Sequence, residues 1–247
     1  MEIGGRMALV TGAGSGIGRA TAMALAAAGA AVMLADIDEA GGAETRRRID
    51  AEGGKACFVR ADVSRAADVE AMFAAAEREF GGLDIVFNNA GIMAGQPDWP
   101  EMALSRIEQV MGINALGVIL GTTLGVRMMR QRGGGAIVNT ASMAVVTPSV
   151  HDPVYDASKA AVAMFTRSIA QLVAGDNIRI NAVLPGMTAT AIQNKSGDGT
   201  KPADWMAPAI EQFWHAALKP EAIAQVVLDL IRDETLNGEC REVPNEF

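Results

Sequence analysis

Short apolar runs alternate along the chain with longer segments whose apolar residues recur at helical spacing, and glycine punctuates most of the changes between them. Met7–Thr11 (MALVT) is a strand-length run that ends directly in Gly12, and an Ala-rich helical segment over 19–28 follows, closed by Gly29. The same unit then repeats. A strand over 31–35 ends at Asp36, a helix over Glu39–Ala51 stops at Gly53 and Gly54, and a strand over 56–60 leads to a helix over Ala66–Phe80 with Ser64 as its N-cap. Gly81 and Gly82 end that helix before a strand over 84–88. Further on, the pattern predicts a long helical region over 101–132 in one or two pieces, a strand over 136–140, a helix over 153–174 and a strand over 178–184 broken by Pro185-Gly186. Residues 187–218 are the least regular, and 195–202 (KSGDGTKP) are flexible by composition. A helix over Pro220–Arg232 and a short strand over 239–243 follow. Strands that alternate with helices pair in parallel through right-handed crossovers, so the expected fold is α/β, a doubly wound parallel sheet in a single domain over 1–247.

Composition narrows the functions open to such a fold. A formal net charge of −8 disfavours a nucleic-acid partner, whose phosphates are met by clustered Lys and Arg. The one basic run, 46–48, shares a helix-like segment with Glu44 and Asp50 and reads as a solvated face. No uncharged apolar run is expected to reach the ~20 residues of a membrane helix, and the first residues lack the pattern of a signal peptide, so the expected location is cytoplasmic. Cys57 and Cys240 fit buried thiols better than a disulfide, and no Cys or His cluster suggests a metal site.

Two stretches carry candidate chemistry. The first is TGAGSGIG, where Gly12, Gly16 and Gly18 lie between the first strand and the first helix, the place where a bare backbone can approach a pyrophosphate on a helix N-terminus. Asp36 ends the second strand 18 residues past Gly18, near the ~20-residue offset at which a carboxylate accepts hydrogen bonds from an adenosine ribose. The alternative is that it caps the next helix, a task Asp38 could take instead. A carboxylate there repels a 2′-phosphate, position 15 is Ser, and no Arg or Lys directly follows Asp36, which favours NAD over NADP. The second stretch runs from Ser142 to Lys159. Tyr155, the only tyrosine, precedes Lys159 by four residues, so on a helix the two share a face one turn apart. A cation beside a phenol favours the phenolate and moves its pKa from about 10 toward values useful for proton exchange with an alcohol. Ser142 would be a second donor to the same oxygen.

Taken together, the glycine turn, Asp62-Val63, NNAG ending at Gly91, Asn114, Ser142, Tyr155 with Lys159, and Pro185-Gly186 resemble the compact short-chain dehydrogenase/reductase family, in order and spacing, over about residues 5 to 235. The resemblance implies a Rossmann-type domain and a catalytic tetrad of Asn114, Ser142, Tyr155 and Lys159. Tyr155 would be the general acid/base and Lys159 would lower its pKa and bind the nicotinamide ribose. Ser142 would hold the substrate oxygen, and Asn114 would sit at a local kink whose carbonyl binds a water. The cofactor, NAD, would be held by Gly12, Ser15, Gly16, Ile17, Gly18, Asp36, Asp62, Val63, Asn89, Ala90 and Gly91, by Tyr155 and Lys159, and by Pro185, Gly186, Thr188 and Thr190. Asn88 could instead be scaffold. The family's Asp-Gly-Gly-like tail is replaced here by NGECREVPNEF, and Thr188 stands where Val or Ile is usual.

The expected activity is therefore an NAD-dependent exchange between a secondary alcohol and a ketone, the alternative being a non-catalytic dinucleotide sensor or scaffold. Pocket candidates are Met93, Ala94, Met143, Ala144, Val150, His151, Met187 and 189–217, mostly apolar, which favours an apolar small-molecule substrate. His151 is either a solvated loop residue or a polar substrate contact. Trp205, Met206, Ile210, Phe213 and Trp214 share a face at helical spacing and form either a lid over the site or ordinary packing. By resemblance the chain is also expected to form a homodimer or homotetramer through its two long helices.

Overall fold

A computed structural model describes residues 1–95, 99–148, 151–196, 200–204 and 206–246. Its framework is one sheet of seven parallel strands: β1 (Met7–Thr11), β2 (Ala31–Asp36), β3 (Lys55–Arg60), β4 (Ile85–Asn88), β5 (Gly135–Thr140), β6 (Ile178–Pro185) and β7 (Cys240–Val243), in the order β3-β2-β1-β4-β5-β6-β7. The central strands are apolar on both faces because helices cover both. Ala8, Val10, Val32, Leu34, Ile85 and Phe87 pack toward one core, which α1 (Gly16–Ala27) and α8 (Pro220–Arg232) close with Leu25, Ile223, Val227 and Ile231. Leu9, Met33, Val86 and Ile137 point the other way, onto Met72 and Phe73 of α3 (Ala66–Phe80) and onto Val126 and Met129 of α5 (Gly117–Arg130). The remaining helices are α2 (Glu39–Ala51), α4 (Leu104–Met111), α6 (Pro153–Val173) and α7 (Ala207–Phe213). Free Cys57 and Cys240 lie on β3 and β7, the opposite edges of the sheet, which rules out pairing within the chain.

The predicted elements are all present, and several boundaries move for identifiable reasons. α1 starts at Gly16 rather than 19, inside the glycine turn, because Gly18 packs against the Gly12 carbonyl at a distance that leaves no room for a Cβ. The predicted region over 101–132 is a helical rod in which one wide π-turn, Gly112–Leu116, joins α4 to α5. This rod, Leu104–Arg130, is long and apolar enough to cross a membrane by length and composition, contrary to the expectation that no such run exists. Half of its most apolar window is buried in the protein, which accounts for that composition. Ser64 does not cap α3: Arg65 holds the N-cap position, and the Ser64 hydroxyl donates to Asp62 Oδ1 at 2.7 Å. The expected helical face over 205–214 is reduced to the short α7 and a following turn, Trp214–Ala216.

Polar residues inside the sheet lock its register. Asn88 donates to Asn139 Oδ1 at 2.9 Å and to Thr122 at 3.1 Å, and Asn139 donates to Thr166 at 3.0 Å. These four buried residues tie β4, β5, α5 and α6 together, so Asn88 is scaffold. Asn139→Ala strands three buried partners and should cost about 2–3 kcal/mol, read as a lowered chemical-denaturation midpoint. A loss under about 0.5 kcal/mol would contradict this role.

Candidate active site

A cavity of about 700 Å³ opens along the carboxyl ends of the strands, at the point between β1 and β4 where the strand order reverses. Of the expected site residues, all but Gly18 and Asn114 line it. Gly18 lies beneath the turn, where a Cβ would strike the Gly12 carbonyl and Asn89, so it shapes the floor instead of the wall. Gly16 has φ +52, and a Cβ there would come within 3.0 Å of the Thr190 methyl, so the bare backbone is what keeps the two sides of the cavity in contact.

The half of the cavity at the glycine turn is lined by residues whose own bonds are satisfied. Asp36 Oδ2 accepts from the Gly14 N–H at 2.7 Å and Oδ1 from the Asp38 N–H at 2.9 Å, leaving further lone pairs facing the cavity. Arg19 donates to Thr45 Oγ1 at 2.9 Å and to the Gly14 carbonyl, and Thr45 donates to the Ala13 carbonyl at 2.8 Å. The glycine turn is thus lashed to α2. Asn89 donates to the Thr11 carbonyl at 3.0 Å, and Thr11 Oγ1 accepts from the Asn89 and Ala90 N–H groups, which joins the ends of β1 and β4. Asp62 Oδ1 is occupied by Ser64, and Val63 packs where Gly117 of α5 leaves space. Asp36 with a glycine backbone at a helix N-terminus fits an adenosine ribose and a pyrophosphate.

The reactive half is built on the first turns of α6. Pro153 occupies its first position, and Asp152, 2% exposed, caps it by accepting from the Tyr155 N–H at 3.0 Å. The other Asp152 oxygen accepts from the Ala94 N–H at 2.9 Å, while Arg106 donates to the Met93 and Ala94 carbonyls. The loop after β4 is therefore fastened to the helix that carries Tyr155. Ser142 follows β5, accepts from the Ala144 N–H at 3.1 Å and hydrogen-bonds the Tyr155 phenol. Lys159, one turn along, lies 5.8 Å from the phenol ring centre and donates to the Thr140 carbonyl at 2.8 Å. Asn114, in the π-turn, bonds Ile92 through both amide atoms, at 2.9 and 2.8 Å, and Ser158 at 3.0 Å. It reaches the site through Gly91, where a Cβ would lie 3.4 Å from both Asn114 Oδ1 and Lys159 Nζ.

The electrostatics correct one expectation. The Tyr155 phenol is raised, not lowered: burial pushes it up to about 12, the Ser142 hydrogen bond opposes the rise, and Asp152 and Asp156 add to it. Burial likewise pushes the Lys159 ammonium down to about 8. Desolvation is the largest cause at both groups and disfavours the charged form of each.

On the substrate side, Met93, Met143, Ala144, Met187, Ile192 and Met206 line the cavity. Ala94 lies behind the wall and His151 is exposed. Ile210 is half-buried and Trp214 is 43% exposed, while Val150 and Trp205 lie outside the described residues, as do 197–199 of the segment expected to be flexible. Sequence reasoning missed Ile37, Asp152, Arg106 and Asn245. A Pro one residue after an Asp was the available signal for Asp152 as a cap; the other three had none. Among the described residues no cluster of His, Cys, Asp or Glu could hold a metal ion.

Comparison with known proteins agrees with this architecture. A family model described as short chain dehydrogenase matches residues 6–201. The chain is 35% identical to 15-hydroxyprostaglandin dehydrogenase [NAD(+)] of Homo sapiens, over 98% of this chain and 92% of that protein. It is 38% identical to 2,5-dichloro-2,5-cyclohexadiene-1,4-diol dehydrogenase of Sphingobium indicum, over 100% and 98%. A crystal structure of 3-ketoacyl-(acyl-carrier-protein) reductase from Brucella melitensis complexed with NADH superposes with a TM-score of 0.85 at 30% identity, covering 98% of each chain.

The buried ammonium gives a test with a sign. At neutral pH it costs stability, so Lys159→Met should stabilise the fold by on the order of 1 kcal/mol while removing function. The folded pKa of about 8 lies below the ordinary 10.5, so between those values the unfolded chain binds more protons and the wild-type protein gains stability as pH rises. The advantage of Lys159→Met in denaturation midpoint should therefore shrink from pH 7 to pH 10; a constant advantage would contradict a buried charge.

Proposed function

The chain belongs to the short-chain dehydrogenase family, and on that premise we propose that it is an NAD-dependent oxidoreductase interconverting a secondary alcohol and a ketone, with Tyr155 exchanging the hydroxyl proton. The observation that carries this reading is the hydrogen-bonded pair of Ser142 and Tyr155 in the same cavity as Lys159 and the glycine turn. A pure binding protein has no use for a phenol and a hydroxyl converging on one point beside a buried ammonium.

When bound, the nicotinamide supplies the hydride acceptor for oxidation or the donor for reduction. The protein's own groups handle the proton. With its pKa pushed up to about 12, the phenol holds its proton at neutral pH and is ready to donate it to a carbonyl oxygen in the reductive direction. Oxidation requires the phenol first to lose its own proton, so that the phenolate can accept the alcohol proton, and its rate should therefore rise with pH. Ser142 donates to the same substrate oxygen and stabilises charge developing there. The Lys159 ammonium would bond the nicotinamide ribose, and Thr188 and Thr190 would hold the carboxamide. The apolar wall formed by the methionines supports a predominantly apolar substrate.

Three features support NAD over NADP. Asp36 lines the cavity and would set a carboxylate beside the adenosine ribose, the next residue is the 56%-exposed apolar Ile37 on the cavity wall, and the nearby cation Arg19 is committed to Thr45 and Gly14. The exposed Leu116, Met164 and Leu172 on the helical rod and α6 support a homo-oligomer formed through those helices.

Asp36→Ala should lower the NAD over NADP ratio of kcat/KM by about tenfold or more, and an unchanged ratio would overturn the cofactor choice. A broad panel of secondary alcohols with NAD, and of ketones with NADH, should give turnover with at least one apolar member. Saturated, well-folded protein that turns over none of them would favour a dinucleotide sensor instead.

A further inference from the structure

The C-terminal tail, unusual in sequence, returns to the site. β7 runs parallel to β6, and the Gly186 N–H donates to the Val243 carbonyl at 2.9 Å, so the chain leaving β7 runs beside the chain leaving β6. Two residues past β7, Asn245 clamps Met187 from both sides. Its Oδ1 accepts from the Met187 N–H at 2.7 Å, and its Nδ2 donates to the Met187 carbonyl at 2.8 Å and to the Ala216 carbonyl at 2.9 Å. The Met187 carbonyl also accepts from the Leu218 N–H at 2.9 Å, and the Ala189 N–H donates to the Leu218 carbonyl at 2.8 Å. One side chain therefore closes a knot between both roots of the excursion over 188–217 and the sheet edge. A Cβ on Gly186 would collide with Asn245 Oδ1, so the asparagine can sit here only because position 186 is glycine.

The consequence falls on Thr188. In the parallel bridge between Thr188 and Leu218, the neighbours Met187 and Ala189 supply the bonds, which directs the Thr188 N–H away from Leu218. The Thr188 carbonyl is taken by Gln193 Nε2 at 2.6 Å, and Thr188 and Asn245 both line the cavity. Both amide hydrogens of Asn245 are spent on protein carbonyls, so it has no N–H left to donate to a ligand, and its main hold is on the backbone.

We propose that Asn245 is the positioning residue for the nicotinamide end of the site: it fixes the Met187-Thr188 backbone against which the carboxamide is held, and it ties down both roots of the substrate-side excursion. The inference rests on the dinucleotide reading of the cavity. Its reach is confined to one end, because the adenosine-side residues Asp36, Asn89 and Gly12 make no contact with the knot through any of the bonds above.

The test compares NADH with ADP-ribose, which lacks the nicotinamide, in binding to the wild-type protein, to Asn245→Asp and to Asn245→Ala. Asn245→Asp keeps the side-chain size and the acceptor for the Met187 N–H while replacing both donors by an oxygen that the Met187 and Ala216 carbonyls repel, and it serves as the second variant if the alanine variant does not fold. NADH should bind the variants about tenfold more weakly, while ADP-ribose should change by less than about twofold, with a cooperative unfolding transition retained. Equal weakening of both ligands, or no weakening of either, would overturn the proposal while leaving the cofactor reading intact. Failure of the wild-type protein to bind either ligand would overturn both.

Discussion

The bond between the Lys159 ammonium and the Thr140 carbonyl, 2.8 Å long and sealed at 2% exposure, is the constraint around which the reactive half of this protein is arranged. A buried cation is tolerated only when its hydrogen bonds are met. Thr140 is the last residue of β5, so the ammonium can reach its carbonyl only if α6 crosses that end of the sheet. Asp152 sets the start of the helix by capping the Tyr155 N–H. Tyr155 is thereby delivered one turn ahead of Lys159, within reach of Ser142 at the exit of the same strand. Holding an ammonium out of water in this arrangement costs stability.

The environment sets the direction in which each group is biased. Desolvation favours the neutral form of both Tyr155 and Lys159, and the carboxylates of Asp152 and Asp156 reinforce the effect on the phenol. Arg106 lies across from Asp152 and holds the loop after β4 with it, so the carboxylate that caps α6 is also part of a clamp on the cavity wall. The reactive pair and the wall are consequently not independent: a change at Asp152 would alter the phenol's proton affinity and the loop's position together.

Most of the framework was legible because its signals are local. Apolar runs of strand length, helical spacing and glycine stops fix β1 to β6 and the long helices to within a few residues, and a glycine turn followed by Asp36 marks the dinucleotide side. The departures arise where distant segments meet. Ser64 has the right side chain for a cap, but Asp62 takes its hydroxyl. Asn114 was legible as a kink, and the side-chain bonds to Ile92 and Ser158 that stabilise it span 22 and 44 residues. Asn245 reaches back 58 residues to Met187 from a tail with no periodicity. The sign of the Tyr155 shift also escaped the sequence, since a Lys four residues away predicts a lowered phenol only where burial does not dominate.

The central claim is that Tyr155 is the proton-exchanging group of a site that binds its dinucleotide independently of the phenol. Tyr155→Phe keeps the ring and removes only the hydroxyl. Measured side by side, NADH affinity should stay within about twofold of the wild-type value while turnover falls by a factor of roughly 10²–10⁴. Turnover close to wild type in a variant that still binds NADH would contradict the account.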